Sequence, residues 1–566
     1  MHPITTRSAD CKDCYRCLRV CPVKAISVKG GQAKVREESC ILCGRCVLEC
    51  PQQAKLIRSE VYKVIDYLST GQKVVLSIAP SFPAFFTKVS LRDLLAQIKS
   101  LGFSAVEETS VGAYYTAEEY RRLFIKQEQT TISSCCPVVV NLVEIYFSEL
   151  IPNLAPVASP MIAHALSIKE RWGDETKVVF AGPCIGKMEE RGREGKVDAV
   201  ITFAQLEELL KQGKEDKNSR VSLENEFYWE TRLFPLSGGS IRTFAGDKLV
   251  NTQVETISGV ENCWETLSAL KKGKLYTNFI ELMACEGGCI NGPVMDHNRC
   301  IIQRKKDLID YYNKFQGLPK KKFLNLTESS LIRNFKPRSV NEKKASDKVI
   351  REILVQIGKF SPEDEKNCGG CGYNTCRDKA QAVFNGQAEL EMCVSYMKEK
   401  AESLATTIVN STPNAIIMFD KDLRIKELNP AAKQIFHLYS LEVGEILSDY
   451  MDCEPFLQVI KTGKPLKSFS FYYPELDLYT KHNVVPVYGC KEKLYLAIIE
   501  DISENERKRQ KMELIKEQTL AKTQEVINKQ MLVAQEIAGL LGETTAETKA
   551  ALLQLIKHIN QETERE

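Results

Sequence analysis

The chain of 566 residues is 43% hydrophobic and 27% charged, ordinary values for a soluble globular protein, and long enough for roughly four domains. Its 77 Lys and Arg nearly balance 74 Asp and Glu, giving a net charge of +3, which argues against a nucleic-acid protein because those carry a strong basic excess. What stands out is 21 cysteines against six histidines, clustered rather than spread. The opening Met1-His2-Pro3-Ile4-Thr5-Thr6 has no basic stretch followed by an apolar core. The longest apolar runs, such as Val74–Ala79, fall far short of the ~20 residues of a membrane span. A cytoplasmic chain is therefore expected, with reduced thiols whose clustering points to metal ligation or catalysis.

Residues 1–62 contain one spacing written twice. Cys11, Cys14, Cys17 and Cys21-Pro22 are followed by Cys40, Cys43, Cys46 and Cys50-Pro51, each run C-x2-C-x2-C-x3-C-P. This is the bacterial ferredoxin pattern for two [4Fe–4S] clusters, in which a tight loop wraps three corners of a cube and the remote fourth Cys ligates the other cluster. The expected sets are Cys11, Cys14, Cys17 and Cys50 for one cluster, and Cys40, Cys43, Cys46 and Cys21 for the other. Eight Cys with no His in the spacing, and both prolines, weigh against zinc ribbons.

Residues 70–330 mix strand-like runs (Lys73–Ile78, Lys177–Phe180, Val197–Thr202) with amphipathic helical stretches, the alternation of an α/β layer fold. The thiols here are dispersed at Cys135-Cys136, Cys184, Cys285 and Cys289, and alone they read as buried core residues. Their neighbours change that. Ser133-Ser134-Cys135-Cys136-Pro137, the segment Gly182–Glu190 around Cys184-Ile185-Gly186-Lys187, and Glu281–Cys289 with Met283-Ala284-Cys285 resemble, in order, the three signature segments of the iron-only [FeFe]-hydrogenases. The resemblance covers roughly residues 1–310.

It implies a [4Fe–4S] cubane held by Cys136, Cys184, Cys285 and Cys289, with Cys289 bridging to a two-iron unit that carries CO and cyanide. It further implies Lys187 on one cyanide, Pro80 and Ser81 near the other, and Met283 beside the bridging carbonyl. Cys135 matches the first proton-transfer thiol and Glu119 the next relay carboxylate, with Ser159-Pro160 in the same region. Four departures stand beside these matches. The second relay carboxylate is Arg122, which cannot pass a proton readily. The intervening Ser aligns with Ala155, a Met of the pocket is replaced by Gly182, and the glycine-rich extension shrinks to Asn291-Gly292-Pro293. They predict an altered or opened pocket and an impaired proton relay, hence low turnover.

Cys368-Gly-Gly-Cys371, Cys376 and Cys393, within 345–397, resemble the small four-Cys iron–sulfur domain of corrinoid and electron-transport proteins, with zinc as the alternative. Residues 402–503 read as a PAS domain, from an apolar strand in Asn414–Asp420 through Asn429-Pro430 to a final strand at Leu494–Ile499; its ligand is unspecified. His437 reads more simply as packed or solvated than as a haem ligand. Residues 504–566 lack proline and favour long helices, predicting a hairpin broken at Gly542 and recapped by Thr544-x-x-Glu547, able to pair with a partner or a second copy. Cys263, Cys300, Cys453 and Cys490 remain as packing residues.

The expected protein is thus a multidomain α/β and α+β chain: a bacterial-type 2[4Fe–4S] ferredoxin module, a hydrogenase-like domain, a four-Cys [4Fe–4S] domain, a PAS domain and a C-terminal helical hairpin. Its cofactors would be three [4Fe–4S] clusters plus the H-cluster. The layout resembles the sensory branch of the family: slow, reversible H2 chemistry, electrons passed to ferredoxin or an internal acceptor, and a signal to a partner such as a phosphatase or kinase, without nucleic acid or membrane. The alternatives are a ferredoxin-linked bulk hydrogenase and a hydrogenase-like iron–sulfur protein without the two-iron unit.

Overall fold

Each half of the N-terminal repeat folds as a cysteine loop closed by one helical turn, Arg16–Arg19 and Arg45–Leu48. Both turns are entered through a left-handed residue, Tyr15 at φ 55° and Gly44 at φ 77°. Crowding demands glycine only at the second, where a Cβ would lie 2.5 Å from Pro293 and 2.9 Å from Ile185. The repeat packs there onto the domain that follows. Strands β1 (Ile4–Thr6), β2 (Ile26–Lys29), β3 (Gln32–Val35) and β4 (Lys55–Ile57) close the module as antiparallel pairs β1–β4 and β2–β3.

The computed structural model describes residues 2–126, 129–212, 229–246, 254–317, 326–338, 340, 342–488, 492–541 and 545–562. They form two units, residues 1–397 and 398–566. In the first, β5 (Val74–Ile78), β6 (Ala105–Glu108), β8 (Lys177–Gly182) and β9 (Ala199–Thr202) make a parallel sheet ordered β6-β5-β8-β9. A second parallel sheet, ordered β10-β11-β7, joins β7 (Thr131–Ile132), β10 (Val254–Ser258) and β11 (Phe279–Met283). β5, β6, β9 and β11 are buried at every position, as expected where helices cover both faces of a parallel sheet. The runs at 73–78, 177–180 and 197–202 read from sequence are β5, β8 and β9.

The four-Cys segment packs the helices Asp347–Gln356 and Cys376–Phe384 around Ile350, Leu354 and Ala380. It is tied to the ferredoxin module by Val28 N–H donating to Gln387 O (2.9 Å) and Arg19 Nη1 donating to Gly370 O (3.1 Å).

The second unit carries a five-stranded antiparallel sheet ordered β13-β12-β16-β15-β14, from β12 (Ala415–Asp420), β13 (Ile425–Leu428), β14 (Leu466–Tyr473), β15 (Leu478–Val487) and β16 (Leu494–Asp501). His437 is exposed at φ 56°, and the buried imidazole is instead His482, whose Nε2 pairs with Thr480 Oγ1 at 2.9 Å. Helices Ser503–Leu541 and Thr545–Glu562 follow; the expected break at Gly542 and cap at Thr544 lie outside the described residues. Cys263 and Cys453 are buried core residues. Cys300 is not: it is exposed at the start of the helix Ile301–Phe315, where its N–H donates to Gln303 Oε1 at 3.1 Å. Cys490 lies outside the described residues. Among the described residues no helix is long and apolar enough to cross a membrane.

Candidate metal centre

The three signature segments, and the Ala79-Pro80-Ser81 turn, all leave the carboxyl ends of parallel strands. β5 runs into Pro80 and Ser81, β7 into Cys135 and Cys136, β8 into Cys184, and β11 into Cys285 and Cys289. Open parallel sheets expose their loops together at that end, so residues distant in sequence converge there. They line one apolar cavity of about 100 Å³, whose walls include Cys136, Cys184, Cys285, Cys289, Met283 and Lys187. Pro80, Ser81, Cys135 and Phe180 border the same space. Burial pushes the Cys184 thiol up to about 11, with the Cys136 charge adding to it and Lys187 opposing.

Two polar groups point to a ligand for this cavity. The Ser81 hydroxyl is fully buried and has no hydrogen-bond partner, a state that costs about 1–3 kcal/mol unless a bound group meets it. Lys187 is buried beside it, its Nζ donating to Glu190 Oε2 (2.6 Å), Ser159 Oγ (3.0 Å) and the Cys135 carbonyl (3.2 Å). Burial works against the ammonium, yet the Glu190 carboxylate outweighs it and raises Lys187 above its ordinary value. Glu190 also accepts from Arg333 Nη1 at 2.9 Å. A fixed cation, an unpartnered hydroxyl and four thiols on apolar walls form a donor set suited to an anionic iron–sulfur group.

Cys135 is part of this wall, in contact with residues the sequence reading did not single out. Burial pushes its thiol up to about 12, the Glu281 and Cys136 charges push the same way, and Lys187 opposes them. Tyr120 hydrogen-bonds the thiol, and its hydroxyl also accepts from Ser134 N–H at 2.9 Å. Glu281 is fully buried and accepts from Gly238 N–H and from the Ser240 N–H and hydroxyl; burial outweighs these donors and holds its carboxyl above the ordinary value. Glu119 sits one residue from Tyr120 on the helix Ser110–Lys126, and its carboxylate accepts from Arg122 at 2.9 Å. Ala155 packs with Ala113, Tyr120 and Cys135 in an apolar cluster.

Of the two expectations at Gly182, a pocket altered or opened, the structure fits the first. A Cβ there would lie 2.6 Å from the Phe180 ring, so Phe180 occupies the space a larger residue 182 would take, and the wall is refilled rather than opened. Gly182→Met is expected to cost about 1–3 kcal/mol by overpacking, read as a lowered thermal midpoint. Combining it with Phe180→Ala should cost less than the sum of the two single changes, and strict additivity would refute the exchange of volumes.

The other sulfur sets are ordered around this centre. Cys21, Cys40, Cys43 and Cys46 line one small cavity with Ile26 and Ile41, bringing Cys21 to the second triad. The Cys17 thiol is pushed up by burial and by the charges of Cys11 and Cys14. An Arg16–Glu49 ion pair of 2.5 Å ties the turn before Cys50 to that first loop. Backbone N–H groups donate to Cys21 Sγ (3.2 Å, Ala25) and Cys50 Sγ (3.3 Å, Ala54). Cys43 and Cys285 border one cleft and are electrostatically coupled. Tyr373, raised by burial, feels both Cys371 and Cys21. Among the described residues no group of three or more His, Cys, Asp or Glu closes on a single metal ion.

Comparison with known proteins gives matches to iron–sulfur and hydrogenase-like domain families. Residues 72–293 match the family model "Iron only hydrogenase large subunit, C-terminal domain", 10–54 the 4Fe-4S dicluster domain, 364–395 an Fe-S cluster family and 404–466 a PAS domain. Iron hydrogenase 1 of Clostridium pasteurianum is 24% identical over 306 residues, 42% of this chain and 53% of that protein. A cytosolic Fe-S cluster assembly factor of Drosophila erecta is 24% identical over 316 residues, 44% of this chain and 66% of its own. The chain therefore spans about half to two-thirds of the length of these curated relatives. A solved structure of [FeFe]-hydrogenase HydA1 from Chlamydomonas reinhardtii has 17% identity and a TM-score of 0.37, covering 50% of this chain and all of that one. The chain is a multidomain iron–sulfur protein with a domain of the iron-only hydrogenase family, a 4Fe-4S dicluster domain and a PAS domain.

Proposed function

We propose that this protein is a slow, H2-sensing hydrogenase. Cys136, Cys184, Cys285 and Cys289 would hold the cubane of an H-cluster, with Cys289 also the thiol that would serve its two-iron unit. Three further [4Fe–4S] clusters are held by Cys11, Cys14, Cys17 and Cys50, by Cys21, Cys40, Cys43 and Cys46, and by Cys368, Cys371, Cys376 and Cys393. The observation that carries the reading is the convergence of four thiols, Lys187, Met283 and the unpartnered Ser81 hydroxyl on one apolar cavity. When bound, the H-cluster supplies the chemistry that exchanges H2 with two protons and two electrons.

This chain's residues supply the rest. Lys187, aimed by Glu190 and Ser159, would donate to one anionic cyanide of the bound group, while Ser81 and Pro80 would meet the other and Met283 would exclude water. Cys135 exchanges a proton with the cavity. Behind it stand Tyr120 and Glu281, while Glu119 is engaged by Arg122 and Ala155 offers no hydroxyl. A buried carboxyl can be tuned toward a working pH, so Glu281 is the better-placed relay, yet Tyr120 is a reluctant acid and turnover is slow. The PAS domain and the helices after it make the output layer, reaching a cytoplasmic kinase or phosphatase, with the chain acting as a homo-oligomer.

A second reading, an iron–sulfur protein without the two-iron unit, draws on the resemblance to the Fe-S cluster assembly factor. Infrared spectroscopy of the matured protein separates the two. CO and cyanide bands are expected, and their absence under maturation conditions overturns the hydrogenase reading. With bands present, an H2 oxidation rate matching that of the Clostridium relative overturns the sensory part.

A further inference from the structure

Lys379 stands on the helix Cys376–Phe384 and is one of the largest fully buried side chains of the protein, 1% exposed. Its Nζ donates to the Leu390 carbonyl at 2.8 Å, and that same oxygen accepts the Cys393 N–H at 3.2 Å. One carbonyl thus pins an ammonium and a cysteine of the four-Cys set side by side. The helix that carries Lys379 begins at Cys376, so a second thiol of the set is one turn away. Lys379 is electrostatically coupled to Cys393, Cys371 and Cys376, in that order, ahead of the Glu391 carboxylate. Among the described residues it forms no ion pair with a carboxylate.

An ammonium buried with no carboxylate in contact costs several kcal/mol, and a protein keeps one only where another group answers it. A [4Fe–4S] cluster on four thiolates is anionic and becomes more so on reduction. A fixed positive charge beside it therefore stabilises the reduced form more than the oxidised one, net charge being one of the levers on cluster potential.

We propose that Lys379 is a positioning residue for the redox poise of the four-Cys cluster, raising its potential so that it holds the electron within the first unit. This rests on the reading of Cys368, Cys371, Cys376 and Cys393 as cluster ligands. The step is a one-electron transfer from a low-potential iron–sulfur donor to the cluster. No bond is made or broken, and the ammonium keeps its protons.

The test is an EPR-monitored redox titration of the full chain reconstituted with iron and sulfide. Cys376→Ala identifies the signal of this cluster and should lower iron and sulfide by one cluster's worth; if neither falls, the ligand reading fails. Lys379→Gln, neutral but still able to donate to Leu390 O, should lower the equilibrium constant for reduction at least tenfold, 59 mV for one electron. Lys379→Arg should keep the wild-type midpoint. A loaded Lys379→Gln or Lys379→Met protein titrating as wild type overturns the inference while leaving the ligand reading intact. Should both neutral variants fail to load, loading of Lys379→Arg supports the charge-based role, and its failure overturns it in favour of a purely steric one.

Discussion

Cys135→Ala is expected to lower the H2 oxidation rate of the matured protein by about 10²–10⁴-fold, the usual contribution of a positioned acid–base group, without lowering its iron content. The two outcomes separate because of where the residue stands. Its thiol faces Tyr120 and the field of Glu281, a proton-handling environment. What Cys135 gives to Lys187 is only its backbone carbonyl, which alanine retains. CO and cyanide bands should persist in the variant. A rate within about tenfold of wild type would mean that protons leave by a route that avoids Cys135.

Glu190→Leu is expected to destabilise the first unit by about 3–5 kcal/mol, the cost of removing one partner from a buried ionic group. Glu190 holds two cations, Lys187 at 2.6 Å and Arg333 at 2.9 Å, and all three are buried. The substitution leaves Lys187 without its carboxylate, while Arg333 keeps Glu194 at 2.9 Å. The same network predicts a pH dependence. Burial pushes the Glu190 carboxyl up, but Lys187 and Arg333 outweigh it and hold it below its ordinary value of 4.5. Its contribution is therefore complete above that value and is lost as the pH falls through the lower folded value. Urea midpoints of the wild type should fall on acidification below about pH 4.5, and more steeply than those of Glu190→Leu. Parallel pH profiles would show that the carboxylate is not what secures the two cations.

The spacing of the ferredoxin cysteines was legible because ligation there is local: four thiols and a proline fit in twelve residues, and the structure repeats the same loop and turn twice. The strands β5, β8 and β9 were legible as continuous apolar runs, as strands buried on both faces must be. The dispersed thiols carried no periodic signal of their own and were found only through their neighbours. What sequence reasoning missed is long-range. Arg333 reaches Glu190 across 143 positions, and Glu281 is set against Cys135 by pairing of β11 with β7. One usable signal was present: a charged residue, Glu281, in the otherwise apolar stretch Phe279–Met283 is costly unless paired or functional. Phe180 refilling the space at Gly182 is a packing exchange between residues two apart, visible only once the ring is seen against that glycine. Cys300 shows the converse error, because an isolated thiol gives no sign of which side of a helix start it takes.

That four strand ends deliver the walls of the cavity also has a consequence for biogenesis. The eight ferredoxin-type thiols emerge within the first 50 residues of synthesis, so their loops can close almost at once. Cys136 and Cys289 are separated by about 150 residues, which at roughly 5–20 residues per second is of the order of ten to thirty seconds of translation. Over that interval Cys136 waits without the last of its proposed companions, and Cys393 emerges later still. On the proposed ligand sets, the order of the polypeptide would let the ferredoxin module be metallated first, with the hydrogenase-like cavity complete only after Cys289 has been made and the chain around it has folded.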